Sequence, residues 1–204
     1  ELSYMGASVL HDEAVFPVRQ ASIPINVRNT NAPEDPGTMI LAESDCDQAV
    51  ITGIAGKAGF TVLALEKDKM NGEVGFAAGV LDVLRDHNVS IEHMPTGIDT
   101  MSVVVAAHSL EGKRPRFQDD IIAKVEPDSL EIQDQMALLA VVGRNMAGRV
   151  GTSGTIFAAL AAANVNVRMI DQGSSEMNII IGVESATLNA AVNAIYKELA
   201  GNQA

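Results

Sequence analysis

The chain has 204 residues with 26 Asp and Glu against 14 Lys and Arg, a net charge of −12 and a pI of about 4.6. That balance excludes a typical binder of nucleic acid or of anionic membranes, because both recruit basic faces. With 2 Tyr, 5 Phe and no Trp there is little material for base-stacking platforms, whereas 47% hydrophobic residues suffice for one or two cores.

The single cysteine, Cys46, has no partner for an internal disulfide and fits a reducing, cytoplasmic setting. No signal peptide or apolar run of membrane-spanning length is present. The chain opens at Glu1 inside a helix-like stretch, so it is expected to be a piece of something longer.

In chain order, residues 7–21 predict a helix, and residues 25–28 and 39–40 predict short strands around a turn marked by Pro33, Pro36 and Gly37. Residues 49–54 and 60–65 are apolar and partly β-branched, too short for convincing helices, and predict buried strands. A Gly-rich stretch follows. Phe76, Val80, Leu81, Val83 and Leu84 then recur at the three- and four-residue spacing of an amphipathic helix that ends near Asn88, a residue tolerant of left-handed geometry. Residues 90–94 predict a strand, Gly97 a turn, 102–107 a strand, 117–124 a helix and 129–132 a strand. The order then restarts with a strand at 136–142, a Gly-rich stretch, and a helix carrying Ile156, Phe157 and Leu160 that ends near Asn164. Strands at 167–170 and 178–183 flank a turn at Gly173, and a helix at 188–199 closes the series.

The restart is a duplication. A constant shift of 76 residues superposes Leu63 on Leu139, Met70 on Met146, Gly72 on Gly148, Val74-Gly75 on Val150-Gly151, Asn88-Val89 on Asn164-Val165, Gly97 on Gly173 and Met101 on Met177. Each copy runs β-α-β-β-α and needs one more strand. The first copy finds it at 129–132. The second has only five small or polar residues after Leu199, so the unused strand at 49–54 is expected to return to it, leaving the first copy inserted in the second. The resulting fold class is α+β, two ferredoxin-like βαββαβ units, each an antiparallel sheet with helices on one face. The other face or the edge is expected to be free for another chain.

Several chemistries fall away. The glycines of 143–148 and 151–154 lack the Gly-Lys-Ser/Thr of a phosphate loop, and Thr152 or Ser153 as a helix cap accounts for that segment. Cys46 lies in an acidic stretch that blunts thiolate character, and His11, His87, His93 and His108 show no metal-ligand spacing. No catalytic and no metal-binding residue is therefore assigned.

A pocket for a free amino acid is better furnished. The helix beginning at Gly75, Phe76 and Ala77 offers amide groups to a carboxylate, with Gly75 allowing close approach. Ser90, Ile91 and Glu92 lie alongside on the second strand, and Asp99 and Thr100 sit on the following turn. Glu92 and Asp99 are suited to ammonium groups. In the second copy those positions fall on Arg168 and Ser175, so only the first copy is equipped for a cation. The plainer alternative makes Glu92 a solvated charge at a strand end and Gly75 a helix start.

The run from Glu1 to Ile40, above all its Met-Gly-Ala…Leu-His and Val-Arg-Asn-Thr…Pro-Gly-Thr segments, resembles the end of the kinase domain of aspartokinases. The remainder resembles their tandem ACT regulatory region, of the lysine-sensitive kind. The resemblance implies a kinase tail at 1–48, a first ACT domain at 59–133 and a second, split one at 49–58 and 134–200. It places ATP and magnesium, and phosphorylation of aspartate, in a parent protein whose catalytic lobe lies outside this chain, so the chain alone is expected to be inactive. It also implies an effector site at Met70 to Ala77 and Ser90-Ile91-Glu92, with L-lysine first and L-threonine second. A homodimer is implied, with the first ACT domains paired edge to edge. The turn 95–99 is longer than in the lysine-sensitive enzymes, a departure that bears on Asp99 and Thr100. A purely structural dimerisation module is the rival reading, and an enzyme in its own right a weaker one.

Overall fold

The computed structural model describes residues 2, 5, 10, 12–41 and 49–199. Cys46, His11 and the first part of the expected helix at 7–21 lie outside them. Ahead of the repeats, α1 (Asp12–Gln20) leads into an antiparallel pair, β1 (Ile25–Val27) and β2 (Thr38–Ile40). The loop between them is tied down by Arg28, whose guanidinium donates to the carbonyls of Pro33 and Asp35.

The strands expected at 49–54 and 60–65 are one strand, β3 (Gly53–Glu66), with its start moved to Gly53. Gly59 makes the fusion possible. Its φ of 96° is open to glycine and strained for other residues, and it sits where the register with the neighbouring strand slips. The extra residue of this bulge re-aims the side chains of the strand's second half. The next pair of expected strands is fused in the same way. β4 (Thr100–Ala106) is separate, but β5 (Ser129–Val142) runs from the end of the first copy through the start of the second, with Gln135 at φ 56° opposite the bulge.

The two 14-residue strands serve both copies. The second half of β3 pairs with β4 and with the start of β5, while its first half, 53–58, pairs with residues 137–142 of β5. β7 (Asn178–Glu184) lies on the far side of β5 and carries β6 (Met169–Asp171) on its own outer side. The sheet is antiparallel throughout, in the order β4-β3-β5-β7-β6. The strand that the second copy lacks is therefore supplied from upstream, at 53–58 rather than 49–54.

Four helices pack on the sheet: α2 (Phe76–Asp86), α3 (Arg114–Val125), α4 (Thr152–Ala162) and α5 (Leu188–Leu199). α3 begins three residues before the expected 117 because Pro115 fits a first helical turn, whose amides have no intrahelical acceptor. α2 and α4 end as their asparagines predict. Asn88 and Asn164 have φ of 52° and 54°. The next amides, Val89 and Val165, donate back to Leu84 and Leu160 at 2.9 and 3.0 Å, closing each helix with a buried valine. At the start of α4 the cap is the left-handed Gly151, not Thr152 or Ser153, whose side chains make no capping bond.

Strand alternation distributes the apolar residues over three cores. Leu63, Leu65, Met101, Val103 and Val105 meet α2 and α3. Ala137, Leu139, Val141, Ile179, Ile181 and Val183 meet α4 and α5. The alternate positions form a third core on the helix-free face: Ala55, Phe60, Val62 and Val104 with Leu138, Ala140, Met169 and Ile180, joined by Met5. Residues of both copies share this core, and the outer edges of the sheet meet, His93 Nδ1 lying 3.0 Å from Asp171 Oδ2. Of the face and the edge, one of which was expected to be free for another chain, the helix-free face is covered within one chain.

Two further expectations are corrected. Residues 90–94 form no regular strand; the segment clings to β4 by isolated bridges at His93 to Val104 and Thr96 to Met101. The shift of 76 also breaks at the turn. Leu63 pairs with Val103 and Leu139 with Ile181, so beyond the turn the copies are offset by 78, and the coincidence of Met101 with Met177 is fortuitous.

Candidate functional site

The loop after β3 is shaped by a short 3-10 turn, Met70–Gly72, with the left-handed Lys69 before it and the left-handed Gly75 after it. Met70 is 7% exposed and belongs to the first core, so its side chain anchors the loop. Gly75 has φ 96°, and a Cβ there would meet nothing within 4 Å. Glycine is required by backbone conformation and not by crowding.

Phe76 is buried, and its amide is directed to the Glu73 carbonyl at 3.5 Å. The next amides, Ala77 and Ala78, precede the first intrahelical donor, Gly79 N bonded to Gly75 O at 2.8 Å, and carry the partial positive charge of the N-terminus of α2. Ala77 is half-buried. A shallow cavity of about 320 Å³ opens here, lined by Glu73, Gly75, Phe76, Asp82 and Lys124 among others. Ser90, Ile91 and Glu92 are not part of its lining.

Those three lie on the sheet edge. Ser90 is exposed, while Ile91 is half-buried against the first core. Glu92 is half-buried, with its amide donating to the Val104 carbonyl at 2.9 Å. The turn that follows is stapled to the Met70 loop. Lys67 N donates to Asp99 O at 2.9 Å, Asn71 N to Ile98 O at 3.1 Å, and Lys69 N to Asp99 Oδ1 at 2.9 Å. Asp99 thus spends a carboxylate oxygen on the loop itself. Thr100 begins β4, exposed. The structure gathers Met70, Gly75, Phe76, Asp99 and Thr100 around one loop and sets Ser90, Ile91 and Glu92 on the neighbouring edge.

The same features recur in the second copy with different chemistry. Arg168 N donates to Gly182 O at 2.8 Å just as Glu92 N donates to Val104 O, so Arg168 is the true counterpart of Glu92. Gly143 N bonds Met177 O as Lys67 N bonds Asp99 O, which makes Met177, not Ser175, the counterpart of Asp99. In place of Asp99, the Glu176 carboxylate accepts the Gly148 amide at 2.6 Å.

Lys67 was not anticipated. Its ammonium donates to the carbonyls of Val125 and Glu126 at 2.8 and 3.2 Å, pairs with Glu73 at 3.1 Å and lies 5.5 Å from the centre of the Phe76 ring. It ties the end of β3, the loop, the start of α2 and the end of α3 together, a cation at a helix C-terminus. The available signal was a lysine directly after a buried strand where the second copy has Gly143. Among the described residues no group of three or more His, Cys, Asp or Glu could hold a metal, and no helix is long and apolar enough to cross a membrane.

A family model described as ACT domain matches residues 139–199. Over 97% of its length the chain is 38% identical to Aspartokinase 3 of Bacillus subtilis, of which it covers 44%. Its fold superposes on the aspartate kinase of Clostridium acetobutylicum with a TM-score of 0.90 at 50% identity, covering 97% of this chain and 46% of that one. It also superposes on E. coli aspartokinase III, solved in complex with lysine and aspartate, with a TM-score of 0.75 at 24% identity over 98% of this chain and 44% of that one. The last is a likeness of fold alone. The chain spans less than half the length of these relatives. Duplicated ferredoxin-like units, the ACT match and near end-to-end similarity agree in likening the chain to the ACT-containing regulatory region of aspartokinases.

Proposed function

We propose that this chain senses a free amino acid, L-lysine first and L-threonine second, on behalf of an aspartate kinase. One observation carries the reading: two copies of one fold present opposite charges at the same backbone position, Glu92 in the first and Arg168 in the second. Shared fold requirements do not call for that reversal, whereas a site for an ammonium-bearing ligand in one copy does. The amides at the start of α2 suit its carboxylate. The lysine complex of E. coli aspartokinase III makes lysine a reasonable first ligand to try.

In this reading residues 1–48 are the tail of the kinase domain, 59–133 the first ACT domain, and 49–58 with 134–200 the second. The parent would phosphorylate aspartate using ATP and magnesium held outside this chain. Among the described residues, the cavity at the Phe76 end of α2 is not lined by Glu92. The ligand is proposed to sit at a seam between two first modules, beside the edge at 90–96 that β4 holds by bridges at His93 and Thr96. Coupling of ~1–3 kcal/mol between ligand and dimer arrangement is the usual scale for such regulation.

Isothermal titration with lysine, threonine and methionine tests this. Heat with lysine that disappears in Glu92→Ala, with the oligomer unchanged, is the expected result. No heat and no thermal shift with any of the three would leave the dimerisation module as the better account.

A further inference from the structure

β3 and β5 join the two repeats through the backbone, whereas among the described residues the outer edges of the sheet meet through side chains. His93 on the edge of the first repeat lies 3.0 Å from Asp171 at the end of β6 in the second, and the two side chains are 19% and 37% exposed. Val104, the bridge partner of His93, belongs to the third core, as does Met169 beside Asp171 on β6.

Met169 is also the counterpart of His93, since it follows Arg168 as His93 follows Glu92. In the second repeat this position holds an apolar side chain packed into the core, so the fold has no need of a polar group there. In the first repeat it holds an imidazole, and the group that satisfies it comes from the other repeat. The backbone beneath is pinned on both sides of the Glu92–His93 peptide. Glu92 N donates to Val104 O at 2.9 Å, and Val104 N donates to His93 O at 2.8 Å. Displacement of Glu92 therefore carries His93 with it.

We propose that the His93–Asp171 contact is a latch that transmits occupancy of the first repeat's edge to β6 of the second, an inference that rests on the effector reading above. A ligand held by Glu92 stills residues 90–93, keeps the imidazole against Asp171 and so protects an edge strand of only three residues. The ligand acts by binding the latched arrangement better than the unlatched one.

Amide hydrogen exchange on the protein with and without L-lysine tests the latch. Saturating lysine should slow exchange in β6 by roughly three- to tenfold, a modest coupling between sites. His93→Gln and Asp171→Asn should both lose that response while still giving heat with lysine. Without ligand each variant should exchange faster at β6, and the double variant no faster than either, the non-additivity that marks a direct contact. Glu92→Ala should abolish the lysine heat yet keep the ligand-free protection of β6. Lysine that slows β6 equally in His93→Gln, or additive single effects, would overturn the latch alone. Absence of lysine heat in the unaltered protein would overturn the effector reading and the transmission role with it.

Discussion

Thr61 is fully buried in the middle of a strand, and its hydroxyl donates to Asp134 at 2.8 Å. Asp134 also receives a two-pronged grip from Arg114 at 2.5 and 2.7 Å. These bonds, the guanidinium's first and the hydroxyl's second, hold the Asp134 carboxyl below its ordinary 3.8, while burial opposes them. A carboxyl lowered on folding stabilises the fold above its unfolded value and stops doing so as pH falls through the folded one. The window therefore opens below about pH 4. Asp134→Asn should flatten the decline of thermal stability there by up to ~1 kcal/mol, since both partners are substantially exposed and solvent screens the pair. Melting curves between about pH 3 and pH 7 read this directly. An acid slope identical to that of the unaltered chain would dissociate the triad from acid stability.

At the scale of elements, Lys67 does what no single helix or strand does for itself. The last carbonyls of α3 have no intrahelical donor, and Glu126 beyond them turns left-handed at φ 45°, so an ammonium from the end of β3 closes the helix. Lys67→Met keeps much of the aliphatic stem and removes the donors. The urea midpoint should fall by the equivalent of ~1–3 kcal/mol, the usual range for hydrogen bonds made by a charged group. Proteolysis should open first at the loop 67–75. An unaltered midpoint would show that water replaces the ammonium at no cost. The bulges work at the same scale. A single added residue at Gly59 lets one strand keep odd-numbered Leu63 and Leu65 toward α2 and α3, and even-numbered Gly56 toward α5.

The whole molecule is bound together by the third core. Because β3 and β5 each run through both repeats and the helix-free face is shared, the core that each repeat builds with its own helices is backed by one common to both. Leu138, fully buried in that shared face, should when truncated to Ala destabilise the protein by ~2–5 kcal/mol, the range for buried leucines. It should do so in one cooperative unfolding transition seen alike by circular dichroism and calorimetry. Two resolved transitions would mean that the repeats fold independently and that the shared core is a contact surface. The latch between His93 and Asp171 belongs here too, since it joins the two edges that this closure brings within reach.

The duplication and the asparagine-ended helices are written in spacing and residue type, and the antiparallel ferredoxin-like order and the borrowed strand follow from counting elements in the two copies. Each element rests on contacts between near neighbours or on an apolar period that any alignment of the two copies exposes. The acidic residue at 92 was legible for the same reason, because its counterpart at 168 has the opposite sign. Three features depended on tertiary structure. Two pairs of expected strands merged because bulges at Gly59 and Gln135 let one backbone continue where apolar runs seemed to stop. The two-residue offset beyond the turn was hidden by a chance methionine match, and only the pairing of Leu139 with Ile181 exposed it. Closure of the helix-free face, with the meeting of His93 and Asp171 across it, depends on sheet curvature summed over five strands. Curvature is a sum of many small twists that no one segment encodes, so distant side chains become neighbours only once the whole sheet is assembled.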